Sequence, residues 1–512
     1  MTTRHKHFHS NIINSILIKP YHIFFRLSIF VLILGITGCK ESKKGEVVNE
    51  FKKEKQWNVV FILADDMGWN QAHFNKITDY YETPNIDKIA SEGMVYTNAY
   101  SAAPICSPAR ASIMTGKYPA RLHLTDYLPG NSYPYALLTQ AEQNKNGLPL
   151  EEVTIAEMVK SQGYATGHFG KWHLNKDKNY VAGRPGDPRS QGFDGVLATV
   201  KPELDSKSKD AHHVKEITDR TIQFIEKNKG KPFFAYVSHH VVHRPIMEEK
   251  DLINSYKTKP HPEDKVNNPI MGAMIERMDR SIGRILDKLE ELNLTENTIV
   301  VFFSDNGGFK FYQDQAPLRG GKAMVFEGGI RVPFALKWPG VVKPGSVCNI
   351  PVITNDFFPT FAEIIGEDVN NSAIDGLSLV PVLKGQENGL NRDALFWHYP
   401  HYHRQGYKPS GAVRMGDYKL IEWYERSIQG LDYQCDLFNI KEDIGETNNL
   451  AGQMPELVKK MQKRLHQWLI DVDANQMKLN PNFNTEKQYL PELIWPEGQD
   501  FEYLDMQFPN RK

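Results

Sequence analysis

Two runs, NVVFIL at 58–63 and TIVVFF at 298–303, are apolar throughout, and the flanking segments carry charge. Strands with one wet face alternate apolar and polar residues, so unbroken runs point to strands buried on both faces of a parallel sheet. PFFAYVS at 232–238 has the same character, and shorter strands are expected at 94–100 and 164–169. Between the strands the apolar period lengthens to that of a helix. Thr83-Pro84 reads as an N-cap followed by proline in the first turn, opening a helix over 85–92 that stops at Gly93. Thr154-Ile155-Ala156-Glu157 is a capping box for a second helix that stops at Gly163, and a third is expected over about 212–227. The longest carries Met271, Met274, Ile275, Met278, Ile282, Ile285, Leu286 and Leu289 on one face, a core stripe. This alternation predicts an α/β domain over 57–390, a large mostly parallel sheet with helices on both faces. From about Asp393 the strands shorten and polar residues interrupt them, as over 411–423. A last helix at 455–471 sets Leu457, Met461, Leu465, Trp468 and Leu469 on one face. Residues 391–512 therefore read as a smaller α+β domain with a short antiparallel sheet.

The first residues follow another logic. Arg4, Lys6, Lys19 and Arg26 precede an apolar run at 27–37, shorter than the roughly 20 residues that cross a bilayer, so 1–38 reads as a signal peptide. Leu34-Gly35-Ile36-Thr37-Gly38-Cys39 resembles the lipobox of bacterial lipoproteins, which implies lipidation at Cys39 and a charged tether over 39–56. The expected address is the bacterial cell envelope, lipid-anchored at the outer membrane, with the periplasm as the alternative; an ordinary signal peptide with a chance cysteine is the plainer reading. The 61 basic and 62 acidic residues give a net charge of −1, without the basic excess that nucleic-acid binding requires. An anionic substrate has to be met locally. Four cysteines are too few for a disulfide framework, and at most Cys348 and Cys435 are a conceivable pair.

Chemistry-bearing residues gather where predicted strands end. Asp65-Asp66 follows the first strand, Lys171 and His173 follow the one at 164–169, and Asp305-Asn306 follows the one at 298–303. Ligands of open α/β sheets bind beyond the carboxyl ends of strands. His243 lies beyond the strand at 232–238, with His239 and His240 as rivals, and Leu318-Arg319-Gly320-Gly321-Lys322 offers a charge beside a close backbone approach. Cys106-Ser107-Pro108-Ala109-Arg110, inside 101–121, places a cysteine before a short apolar run; it is a nucleophile at a helix entrance or, equally, a buried free thiol. Carboxylate and amide oxygens favour calcium or magnesium over zinc. The cations Arg110, Lys171 and Lys322, with His173 and His243, imply a substrate carrying sulfate or phosphate.

These segments resemble those of the type I, formylglycine-dependent sulfatases of the alkaline phosphatase-like superfamily, bacterial polysaccharide sulfatases among them. Cys106-Ser107-Pro108-Ala109-Arg110 matches the signature C-x-P-x-R, and Gly163 to His173 matches G-Y-x-T-x-x-x-G-K-x-H. The likeness runs from Asn58 through Glu327-Gly328-Gly329-Ile330-Arg331-Val332-Pro333 into the smaller domain. It implies an alkaline phosphatase-like fold and oxidation of Cys106 to 3-oxoalanine (formylglycine) by a formylglycine-generating enzyme. It also implies one calcium ion held by Asp65, Asp66, Cys106, Asp305 and Asn306, and sulfate-ester hydrolysis through the formylglycine hydrate and a covalent sulfo-enzyme intermediate. Arg110 would steady the hydrate, Lys171 and Lys322 the sulfate, His173 would act as base, and His243 would bind sulfate and protonate the leaving alcohol. One departure from the family pattern is Val242-His243-Arg244-Pro245, where P-H-x-P is usual.

Specificity is expected from loops at the rim. Arg184, His212 and His213 are candidates, together with His398, His401 and His403 of the aromatic run at 397–403. Histidine and aromatic side chains suit sugar rings, so the expected substrate is a sulfated polysaccharide or its oligosaccharides, of an algal type such as ulvan or carrageenan. The alternatives are an arylsulfatase for small esters, a phosphodiesterase or phosphonate hydrolase of the same superfamily, and a catalytically inactive glycan-binding lipoprotein.

Overall fold

The computed structural model describes residues 56–177, 179–369, 373–386, 390–403 and 407–488. The signal peptide, Cys39 and nearly all of the tether lie outside the described residues. Strands in chain order are β1 Asn58–Ala64, β2 Met94–Tyr96, β3 Ala99–Tyr100, β4 Ala165–Gly170, β5 Gly195–Ala198, β6 Phe233–Ser238 and β7 Thr298–Ser304. They continue with β8 Phe334–Lys337, β9 Ser346–Cys348, β10 Val352–Ile353, β11 Leu395–Tyr399, β12 Ser410–Met415, β13 Tyr418–Trp423 and β14 Cys435–Asn439. The helices are α1 Pro84–Ser91, α2 Cys106–Thr115, α3 Ile155–Ser161, α4 Val214–Asn228, α5 Lys250–Lys257 and α6 Pro269–Glu291. After them come α7 Glu327–Ile330, α8 Phe357–Ile365, α9 Val380–Leu383, α10 Tyr424–Ile428 and α11 Pro455–Asp471.

Among the described residues the main sheet has eight strands in the order β5-β4-β6-β1-β7-β8-β2-β9. The run β5-β4-β6-β1-β7 is parallel throughout, and β8 turns antiparallel against β7. Strand β1 shows why its sequence is unbroken. Val59, Phe61 and Leu63 point into one core with residues of α2, α3 and α8, whereas Val60, Ile62 and Ala64 point into another with α1, α4, α5 and α6. Both faces are covered, as the apolar runs predict. Helix α3 starts on its capping box, with Thr154 Oγ1 accepting from Glu157 N–H (3.2 Å) and Glu157 Oε2 accepting from Thr154 N–H (2.9 Å).

The expected strand at 94–100 divides in two, because β2 belongs to the main sheet while β3 pairs with β10 apart from it. Residues 411–423 turn back as the hairpin β12–β13 at Gly416, inside a four-stranded antiparallel sheet β11-β12-β13-β14. That sheet and α11 share a core with Tyr100, Ile105 and Tyr118, the chain leading into and out of α2. All described residues fall within one compact unit. Cys348 and Cys435 are both free thiols.

A buried set of charges ties the four-stranded sheet to α7 and β3. Lys419 of β13 lies 2.9 Å from Glu327 Oε1 and 2.9 Å from Glu446 Oε1, and all three side chains are fully buried. Glu327 also accepts from Tyr100 Oη (2.8 Å) and Arg331 Nε (2.7 Å), and Arg414 reaches the same tyrosine oxygen. Burial pushes Glu327 up, but Lys419, Arg331 and Arg414 outweigh it and hold the carboxyl below its ordinary range. Glu446, where burial dominates over Lys419, is pushed up to about 7.

Candidate active site

The strand order places four strand ends side by side. In β4-β6-β1-β7 every neighbour is parallel, so the residues after Gly170, Ser238, Ala64 and Ser304 emerge at one edge. The chain is stitched there beyond the strands. Lys171 N–H donates to Ser238 O (2.8 Å), Asp305 N–H to Ala64 O (3.1 Å), and Asp65 N–H to Val241 O (2.8 Å). Gly170, at φ +115°, lies so close to β6 that a Cβ there would stand 1.9 Å from Ser238 O. Asp66 and His173 adopt left-handed backbone at φ +62° and +59°, a costly conformation for residues with a Cβ and one that clusters at functional sites.

Three carboxylates and three cations meet at this edge. Lys171 Nζ lies 2.8 and 2.6 Å from the two oxygens of Asp65, and Lys322 Nζ 2.7 Å from Asp66 Oδ2. Arg110 Nε donates to Asp305 Oδ2 (2.9 Å), while its Nη1 donates to Lys171 O (3.0 Å) and Ser238 Oγ (2.6 Å). Arg110 is thus a brace across the ends of β7, β4 and β6, and among the described residues its hydrogen bonds go to these groups rather than to Cys106. Cys106 opens α2, and its Sγ lies 3.3 Å from Asp65 Oδ1, 3.7 Å from Asp66 Oδ1 and 3.4 Å from Lys322 Nζ. Burial, then Asp305 and Asp65, push the thiol well above its ordinary range, so it stays protonated and weakly nucleophilic at neutral pH.

The residues present fit a hard cation. One ligand atom from each of Asp65, Asp66, Cys106 and Asp305 lies within 4.8 Å of the others. Asn306 Nδ2 donates to Asp66 Oδ1 (2.8 Å), and its buried Oδ1 has no hydrogen-bond partner. An amide oxygen left so beside three carboxylates is a donor set for calcium or magnesium. The sulfur of Cys106 is a soft atom in that hard set.

The centre lies at the floor of a cleft of about 340 Å³ lined by Asp66, Cys106, Lys171, His173, His243 and Lys322, with 127–129 and 198–201 among its walls. His173 Nε2–H donates to Leu128 O (3.1 Å), which leaves Nδ1 as a lone-pair nitrogen without a partner. His243 Nδ1–H donates to Arg244 O (2.7 Å), so its Nε2, 3.8 Å from Asp66 Oδ2, carries the lone pair. Burial and the charges of Lys171 (for His173) and of Lys322 and Lys171 (for His243) hold both rings well below the ordinary histidine range. In this tautomer neutral His243 has no proton to give from Nε2; a role as acid requires the imidazolium.

Of the six rim candidates, His403 lines the cleft, and the others do not. Arg184 is turned to Asp187 and Asp177 (2.9 and 3.2 Å). His398 is buried in the smaller sheet's core, between Tyr424 Oη (2.6 Å) and Asn475 O (3.0 Å), and His401 is buried against Thr125 Oγ1 (2.8 Å). His212 is buried behind the cleft wall, and His213 pairs with Glu216 (2.9 Å) at the start of α4. Of the rivals to His243, His240 does line the cleft, with Nε2 at 3.0 Å from Thr199 Oγ1, whereas His239 is buried away from it. Ser238 and Ser304 were not expected. Ser304 Oγ accepts from Met67 N–H (3.0 Å) and donates to Asn306 O (3.0 Å), pinning two ligand-bearing turns. Their place as the last residues of β6 and β7 is the signal that marks them.

Comparison with known proteins agrees with this geometry. Residues 57–367 match the family model described as Sulfatase, and 321–474 match the one described as N-sulphoglucosamine sulphohydrolase, C-terminal. A protein of Formosa agariphila named as a sulfatase is 31% identical, with 81% of this chain and 89% of that protein covered. An N-acetylgalactosamine-6-O-sulfatase of Bacteroides thetaiotaomicron is 27% identical over 84% of this chain and 96% of its own length. Among solved structures, that of Ps i-CgsB in complex with k-i-k-neocarrahexaose superimposes with a TM-score of 0.69 at 26% identity, covering 84% of this chain and 96% of that one.

Proposed function

Because the chain belongs to the sulfatase family and is a sulfuric ester hydrolase, we propose that its substrates are sulfate esters on a polysaccharide or its oligosaccharides. The observation that carries the reading is the floor of the cleft, where Cys106 stands among three carboxylates, two lysines and an unpartnered amide oxygen. The relatives support a sugar substrate, since one is named for N-acetylgalactosamine 6-O-sulfate and another was solved with a neocarrahexaose.

Asp65, Asp66, Asp305 and Asn306 would hold a calcium ion. Oxidised to formylglycine, position 106 would supply a hydrated aldehyde as nucleophile, and the ion would supply Lewis acidity and a template. The chain's own residues do the rest. Lys171 and Lys322, both lining the floor, bind the sulfate oxygens and neutralise charge that grows on the leaving oxygen. Arg110 keeps Asp305 and the backbone of Lys171 in place. His173 Nδ1, fixed as a lone pair by the bond to Leu128 O, accepts a proton. His243 serves the leaving alcohol once an anion in the cleft offsets the cations that hold its ring neutral.

The test has two readings. Turnover of a small aryl sulfate and of sulfated algal and animal glycans is measured beside a phosphodiester; faster phosphodiester turnover sinks the sulfatase reading, and aryl sulfate turnover with every glycan refused sinks the sugar. Peptide mass spectrometry across position 106 reports whether the aldehyde is present, and an unmodified thiol in active enzyme would refute the chemistry. We also propose lipid anchoring through Cys39 in the cell envelope, at the outer membrane; a Cys39→Ala chain that still sediments with membranes contradicts it.

A further inference from the structure

The outer cleft carries charge that the reaction centre does not use. Asp177 and Asp187 face it, and the single guanidinium of Arg184 pairs with both. Lys176, Lys201 and Arg244 face it as well. Among the described residues Arg244 makes no ion pair, and Lys176 Nζ donates to a neutral acceptor, Asn146 Oδ1, at 3.2 Å. Even with Lys201 left aside, Arg184, Lys176 and Arg244 stand against two carboxylates, so the outer cleft keeps an excess of positive charge. The floor has no such excess, since three carboxylates there meet three cations.

The location of the excess is defined. Arg244 follows His243 directly, and its carbonyl is held by His243 Nδ1–H (2.7 Å), so its half-buried side chain starts beside the reacting centre. Lys201 lines the same cleft from the wall segment 198–201. A cavity of about 340 Å³ is at the small end for ligand sites, so a second group reaching these cations belongs to the reacting sugar or the next one.

We propose that Arg244 and Lys201, with Lys176, form a second anion subsite that takes a sulfate or carboxylate on the same glycan as the ester being cleaved. The inference rests on the sulfatase reading and narrows it to glycans with two neighbouring acidic groups. Arg244 suits the task, because a guanidinium fork binds either oxyanion through two parallel hydrogen bonds. Steering of any anion by a positive rim is the competing account, and it fades with salt.

The experiment compares kcat/KM at elevated salt for a monosulfated sugar, its disulfated form, a monosulfated disaccharide with a uronate, and a small aryl sulfate. The wild type is expected to prefer a dianionic glycan over the monosulfated sugar by roughly tenfold, and Arg244→Ala and Lys201→Ala each to shrink that ratio several-fold, mainly through KM. Arg244→Lys should restore part of it. The preferred dianionic substrate identifies the second group as sulfate or carboxylate. Lys201→Ala guards against damage to His243 in the Arg244 variant, since the ratio to aryl sulfate turnover exposes such damage. A ratio unmoved in both variants, or a wild type that favours the singly charged sugar, overturns the subsite while leaving the sulfatase intact. A wild type that turns over no sulfate ester sinks the underlying reading and the subsite with it.

Discussion

Two buried charge clusters in this fold are alike in composition and opposite in use. At the strand ends Asp65, Asp66 and Asp305 face Arg110, Lys171 and Lys322; between the four-stranded sheet and α7 Glu327 and Glu446 face Lys419, with Arg331 and Arg414 alongside. The first opens to a cleft and leaves Asn306 Oδ1 and His173 Nδ1 without partners. In the second, Lys419 is wholly enclosed and each acid ends on a cation. Buried charge alone therefore does not mark a site. Access to a ligand does.

Substitutions on the two sides should separate activity from stability. Cys106→Ala is expected to lower kcat/KM by at least roughly 10³-fold with little change in Tm. Lys419→Met removes the cation that Glu327 and Glu446 share and leaves Glu446 without one, at a cost of about 3–5 kcal/mol in urea unfolding. Its folded fraction should keep kcat within about threefold. A stable Lys419→Met protein with kcat reduced as far as in Cys106→Ala would erase the distinction.

Chelation probes the open cluster alone. EDTA should abolish turnover and calcium restore it, with a stabilisation of about 3 kcal/mol at a hundredfold excess over Kd, read as a rise in Tm. The same rise should survive in Lys419→Met, and its loss there would mean that the closed cluster shapes the cation site.

The smallest effect concerns pH. Glu446 is pushed up to about 7 in the folded protein from an ordinary value near 4.5, so between these values the native state holds a proton that the unfolded chain releases. Stability contributed by this group is whole below that window and falls as pH rises through it. Glu446→Gln, which cannot ionise, should flatten the decline in Tm between pH 5 and 7, and an unchanged slope would assign the decline to other groups.

The fold was legible where one residue's environment repeats. Strands β1, β6 and β7 are covered on both faces and so are unbroken runs, and α6 and α11 display one apolar stripe each. Strands β5, β8, β9 and β10 are two to four residues long, too short for any period to emerge. The floor of the cleft was legible because parallel strands deliver consecutive residues, such as Asp65-Asp66 and Asp305-Asn306, to one edge. The rim was read by residue type, and type does not tell which way a side chain faces: His398 and His401 turned inward, and Arg184 turned to two aspartates that line the cleft without lining it itself. The Glu327–Lys419–Glu446 cluster joins segments distant in the chain, and no local pattern announces it.

The burial of α2 has a consequence in time. Cys106, Ser107, Pro108, Ala109 and Arg110 are all buried, and the core shared with the smaller sheet reaches Ile105 immediately before them. If position 106 is oxidised by an enzyme that reads Pro108 and Arg110, that enzyme has no approach to them once this helix has docked. Maturation and folding would then run against one clock, and a molecule that completed its fold first would keep its thiol until it unfolded again.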